Sequence, residues 1–188
     1  MKPGVRALGI AESYRGDRST IGGAVVRASR VVDGFSFETC TVGGTDATAA
    51  IASLYDDLDR EDVRYVMVAG VALAWFNVVD LQGIHEHTGR PVLAVTFEES
   101  DGLEPVLRQE FSGQALDRRL DAYRSLPDRR PMTVDERRLF VRRVGLSSDE
   151  ARRVVEAFTP TGGRPEPVRV ARQAARAADE YVRRTTDA

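Results

Sequence analysis

The chain has 188 residues, 42% of them hydrophobic, and a formal net charge of −2 at pH 7. That length and apolar fraction suit one domain, 1–188, with a sizeable core, and no stretch approaches the roughly 20 apolar residues of a membrane span, so a cytoplasmic protein without a membrane partner is expected. One cysteine, Cys40, and two histidines, His85 and His87, exclude an internal disulfide and a thiolate or imidazole zinc cluster, leaving a hard cation on carboxylates as the metal such a chain can hold.

Residues 6–10 form a short apolar run that predicts a first strand, delivering Ala11, Glu12, Ser13 and Tyr14 into a turn that ends near Thr20. Residues 21–27 and 30–42 alternate as strands, with Asp33-Gly34 as the hairpin signal, so three antiparallel strands open the chain. Gly43 and Gly44 break this pattern, and Ala50, Ile51, Leu54 and Leu58 recur at helical spacing over 47–58, with Thr45 or Asp46 as N-cap. Residues 64–68 are a continuous apolar, β-branched run that reads as a central strand covered on both faces and stops at Ala69-Gly70. Beyond it stand the only tryptophan, Trp75, and the polar residues Asn77 and Asp80, with a helix expected over 77–88 and closed by Gly89. Asn77 suits a helix cap as well as a site, and Asp80 suits the helix dipole.

A fifth strand is predicted at 91–97, followed by an acidic loop at 98–102 and helices at 103–111 and 114–126. A short strand is favoured at 138–144, and Ser147 to Glu150 make a capping box for a helix running to 158. A Gly/Pro-rich connection at 160–167 leads to a final Ala/Arg-rich helix over 168–184, so the part from about 147 is basic and helical. Three antiparallel strands, a helix, then strand-helix-strand alternation predict a mixed α/β sheet flanked by helices, the layout of a ribonuclease H-like domain.

The charge is unevenly placed. Residues 1–112 hold 10 basic and 17 acidic side chains and residues 113–188 hold 17 and 12, giving halves of about −7 and +5. Every basic residue of the second half is arginine, which forks onto phosphate, so a nucleic-acid partner is expected there. Glu12, Asp46, Asn77 with Asp80, and Glu98 with Glu99 fall at the ends of predicted elements. In a ribonuclease H-like layout, carboxylates at such ends converge on magnesium, which positions water against a phosphodiester.

The segments GIAESYRG, RVVDGFSF, VGGTDAT, VAGVALAWFNVVDL with TGRPVLAV, and GRPEPVRVAR, spread from about residue 6 to 176, resemble the ordered signature of the archaeal endonuclease dU family, which is similar to endonuclease V. The resemblance implies a magnesium-dependent endonuclease acting on deoxyuridine-containing DNA, a repair role, with Glu12, Asp46 and Asp80 as the catalytic candidates and Glu12 and Asp46 as the metal ligands. Tyr14, Arg27, Asn77, Arg164 and Glu166 are the substrate-binding candidates, on DNA or RNA. The family pattern has paired aspartates where this chain reads Ala11 and Glu12, and Asp-Gly where it reads Ala69-Gly70. A nucleic-acid-binding member of the fold with weakened or lost catalysis is therefore the alternative.

Overall fold

The computed structural model describes residues 1–160 and 163–186. A meander of three antiparallel strands, β1 (Arg6–Tyr14), β2 (Arg18–Arg27) and β3 (Val32–Thr41), leads into helix α1 (Ala47–Leu58). Strand β4 (Val63–Val68) then pairs parallel to β1, and a small hairpin, β5 (Ala72–Leu73) with β6 (Asn77–Val78), precedes α2 (Leu81–Thr88). Strand β7 (Val92–Thr96) pairs parallel to β4 and is followed by α3 (Glu104–Glu110) and α4 (Gly113–Arg124). The hairpin β8 (Arg130–Val134) and β9 (Arg137–Val144), then α5 (Ser148–Phe158) and α6 (Glu166–Thr186), complete the chain. The sheet order is β3-β2-β1-β4-β7-β9-β8, and the carboxyl ends of the three parallel strands β1, β4 and β7 share one rim.

The alternation of β1 builds both layers. Leu8 and Ile10 point into a core with Ile51 and Leu54 of α1 and Leu81 and Ile84 of α2. The opposite face of the sheet packs with α5 and α6, where Ala11 joins Ala24, Val26, Val170 and Ala171. Only small residues let α6 lie so close to β1 and β2. A Cβ at Gly9 would fall 2.0 Å from the Pro167 backbone, so glycine is required there on space alone.

Several expectations needed correction. The turn between β2 and β3 lies at 28–31, with Arg30 at φ 69, while Asp33-Gly34 is inside β3. Asp33 accepts from Arg6 and Arg27, both at 2.6 Å, so a side chain expected to make a turn closes an ion-pair knot across the strand ends. The helix expected from 77 begins at Leu81 behind Asp80, because residues 72–78 form the β5–β6 hairpin. The strand β8 escaped the pattern reading because it opens on Arg130 and Pro131 and buries only Met132 and Val134. The capping box of α5 is present, and Cys40 is a buried core residue. Thr161 and Gly162 of the expected 160–167 connection lie outside the described residues. Among the described residues, no helix is long and apolar enough to cross a membrane.

Candidate functional site

A cavity of about 320 Å³ opens at the shared rim, at the carboxyl ends of β4 and β7. Its first wall is set by backbone register. The Ala69 amide donates to the Ile10 carbonyl at 2.9 Å, continuing the β1–β4 ladder by one residue and placing Ala69 beside Ala11 on the α6 side. Gly70 then takes φ +97, a conformation that favours glycine, and turns the chain into Val71 and Ala72. Thr96, Phe97 and Glu98 leave β7 opposite this turn, and Tyr123 of α4 and Phe140 of β9 close the far side.

The lining is cationic. Arg129, Arg142, Arg164 and Arg172 all reach it, against one acidic side chain, the exposed Glu98. Arg129 donates to Thr96 Oγ1 and to the carbonyls of Ser100 and Glu98, and lies 3.9 Å above the Phe140 ring. Arg142, buried, donates to the Pro127 carbonyl and to the Tyr123 hydroxyl at 3.0 Å. These partners are neutral, so they fix the guanidinium planes, and no carboxylate among the described residues comes within ion-pair distance of either. Burial, and then the neighbouring Arg142, holds Arg129 below the ordinary guanidinium pKa. Arg164 stacks 4.7 Å from the Phe97 ring, and Arg172 comes from the turn of α6 that follows Ala171.

The residues singled out from the sequence separate into groups. Arg164 lines the cavity, and Tyr14 is exposed at the end of β1. Asp46 and Asn77 form a clasp instead. Asp46 accepts from the Thr41 amide at 3.0 Å, the Thr41 hydroxyl at 2.8 Å and Asn77 Nδ2 at 2.7 Å. Asn77, with no exposed surface, also donates to the Thr41 carbonyl and accepts from the Ala47 amide, both at 3.0 Å. Burial raises the Asp46 pKa, but the hydrogen bonds from Asn77 and Thr41 outweigh it and the net direction is down. Asp80 caps α2 by accepting from the Gln82 amide at 3.0 Å. Arg27 is held by Asp33 at the end of β2 that pairs with the start of β1, away from the rim, and Glu166 pairs with Arg169 at 2.5 Å in the first turn of α6.

Glu12 faces the layer opposite to Ala11, as neighbouring strand residues must. It accepts from Ser19 Oγ at 3.2 Å, and burial raises its pKa. An acid with a raised folded pKa binds its proton more tightly than the unfolded chain does. Stability therefore falls as pH rises from the ordinary glutamate value of 4.5 through the raised value, and stays lower above it. Glu12→Gln, which keeps an acceptor for Ser19, is expected to raise the thermal midpoint at pH 7 to 8 and to have a vanishing effect near pH 4. Midpoints of both proteins across that range check it, and a lower midpoint for the variant at pH 8 would refute it.

Among the described residues, no three His, Cys, Asp or Glu side chains are grouped so as to hold a metal ion. The expected convergence of Glu12, Asp46 and Asp80 is thus not formed. The physical reason is that each carboxylate is already placed by local structure, with Asp46 in the clasp, Asp80 on a helix end and Glu12 against Ser19. At the rim itself Ala11 and Ala69 offer methyl groups, so the residues present do not fit a magnesium site.

Sequence reasoning missed Arg129, Arg142, Arg172 and Tyr123. The excess of arginine in the second half was a signal for them, but the strand pairing that sets Arg142 opposite Ala94 is not visible in composition. A second feature was also hidden. Ala74, Trp75 and Phe76 have φ of 41, 55 and 62, three successive non-glycine residues in the left-handed region. That turn leaves Trp75 46% exposed beside Phe111 and Phe76.

Comparison with known proteins gives this geometry a context. Residues 3–179 match the family called endonuclease dU. A UPF0215 protein of Pyrobaculum calidifontis is 32% identical over 181 residues, covering 94% of this chain and 98% of that one. Among solved structures, a protein of unknown function from Archaeoglobus fulgidus superposes with a TM-score of 0.82 at 26% identity, over 92% of this chain and 97% of the other. Endonuclease V of Ciona intestinalis, in complex with a 24mer DNA containing an inosine followed by a ribo-adenosine, gives 0.60 at 11% identity over 94% and 86%. The fold is therefore ribonuclease H-like, of the endonuclease V type.

Proposed function

The chain belongs to the endonuclease dU family, and from that premise we propose that it is a nucleic-acid-directed protein that seats its ligand at the arginine-lined cavity, with cleavage of the phosphodiester weak or lost. Family and fold support a nuclease ancestry and a nucleic-acid ligand. The observation that carries the reading is the composition of the rim, where four arginines reach one cavity and Ala69, beside the buried Ala11, offers only a methyl group, both at positions where the resemblance implies aspartate. A phosphodiesterase that works through magnesium needs several carboxylate oxygens around the ion, and among the described residues they are not gathered. Phosphate binding needs only the cations, which are in place.

A magnesium-dependent endonuclease acting on deoxyuridine-containing DNA is the second reading, and the match of residues 3–179 to a family of that name favours it. The two readings separate in one set of assays. Uracil-containing and matched control oligonucleotides, as DNA and as RNA, are titrated with protein while the single tryptophan is followed. Trp75 is half exposed on the hairpin whose first strand begins at Ala72 of the cavity wall, so its emission is expected to respond to ligand. Neutralising one or two phosphates of a single strand predicts a loss of affinity of roughly 3- to 7-fold between 50 and 200 mM salt. Affinity unchanged by salt would overturn the proposed ligand class. Rapid magnesium-dependent cutting at uracil would establish the second reading in place of the first.

A further inference from the structure

We infer that the cavity binds the phosphate of a single unpaired nucleotide without a metal ion, its arginines supplying the positive charge at the strand ends. The inference rests on the nucleic-acid reading above and deepens it. Three observations carry it. The first is that four guanidinium groups line one cavity, and among the described residues none of the four is within 4.0 Å of a carboxylate, although nine other arginines of the chain are so paired. Like charges gathered beside a buried wall are costly unless an anion joins them, so the arrangement is complementary to a negatively charged ligand.

The second is orientation. Arg129 and Arg142 are fixed by carbonyl, threonine and tyrosine oxygens, and Arg129 and Arg164 lie over Phe140 and Phe97. Arg129 and Arg142 therefore act as fixed charges whose N–H groups are largely committed to protein oxygens, while Arg164 and Arg172 make no hydrogen bond among the described residues and keep their planar forks for phosphate oxygens. The third is size and surface. About 320 Å³, with Val71, Ala94, Val95 and Leu103 among its walls, is at the lower end of small-ligand pockets and suits one nucleotide rather than a duplex. The class is therefore a phosphate attached to a flat, largely apolar group, as at an extruded or terminal nucleotide.

The experiment measures binding of a 5′-phosphorylated single-stranded oligonucleotide, and of the same strand lacking that phosphate, to the full chain in EDTA and in magnesium. The expected result is equal affinity in EDTA and magnesium, with a preference for the phosphorylated strand. Arg164→Gln with Arg172→Gln changes two exposed side chains that make no ion pair among the described residues, so the thermal midpoint should hold while affinity drops roughly tenfold per guanidinium. Arg153→Gln, on the exposed face of α5, is the control for general charge and should cost far less. Binding that appears only with magnesium would overturn the inference while leaving the nucleic-acid reading intact. Absence of binding in both conditions would overturn both. Equal losses from the cavity pair and from a matched pair of exposed arginines elsewhere would show that the cavity is not where the phosphate sits.

Discussion

Replacing Asn77 by alanine is expected to lower stability by about 3–5 kcal/mol, one of the largest effects of any polar substitution in this chain. Asn77 is fully buried and makes three hydrogen bonds that tie the Gly43–Asp46 turn to the β5–β6 hairpin. Truncation leaves the buried Ala47 amide unpaired and takes one donor from the half-buried Asp46 carboxylate, and a buried unpaired group costs more than the lost bond itself. For a chain of this length the midpoint should fall by roughly 10 °C or more. Asp46→Asn should act in the same direction, because Asp46 accepts from three donors and an amide presents two hydrogens of its own. Thermal unfolding with binding measured on the folded fraction separates this role from a site role. Variants that keep the parent's midpoint and lose ligand affinity would show that Asn77 and Asp46 touch the ligand.

The clasp gives Asn77 and Asp46 a structural role that the sequence does not show. A polar residue in an apolar stretch after a buried strand is legible as exceptional, which is how Asn77 stands out, whereas Asp46 stands out at the start of a helix after the Gly43-Gly44 break. Whether such a residue faces a ligand or a loop depends on Thr41 and Ala47, which are 36 and 30 residues from Asn77 along the chain. The elements themselves were largely legible because their signals are local. Helix α1 was readable from its apolar spacing and α5 from its capping box. The β5–β6 hairpin was not, since it turns through three left-handed residues that carry no glycine or asparagine to announce them. The arginine cavity was half legible. Its charge shows in composition, but Arg129, Arg142 and Arg172 meet only through β9 pairing with β7 and α6 crossing β1.

Ala11 and Ala69 were legible as departures from a family pattern, and the structure makes their consequence a prediction of definite sign. They stand side by side on neighbouring parallel strands in a small apolar cluster against α6, with Ala11 wholly buried. Ala11→Asp with Ala69→Asp would put two carboxylates there at once. Each loses hydration and each repels the other, so both folded pKa values rise and stability is lost as pH increases through that window. A fall of roughly 10 °C in the midpoint at pH 8, and less at pH 6, is expected without a divalent ion. Phosphate binding in EDTA should weaken, because the new charges compete for the arginines of the rim. Magnesium should then restore part of the midpoint for the double variant and nothing for the parent, and calorimetry with magnesium on both proteins reads this directly. A gain of magnesium-dependent cleavage at uracil in the variant would mean that these two positions alone separate this chain from an active nuclease. If magnesium stabilises the parent as much as the variant, the parent binds the ion through other groups. The claim that its residues do not fit a metal would then be wrong.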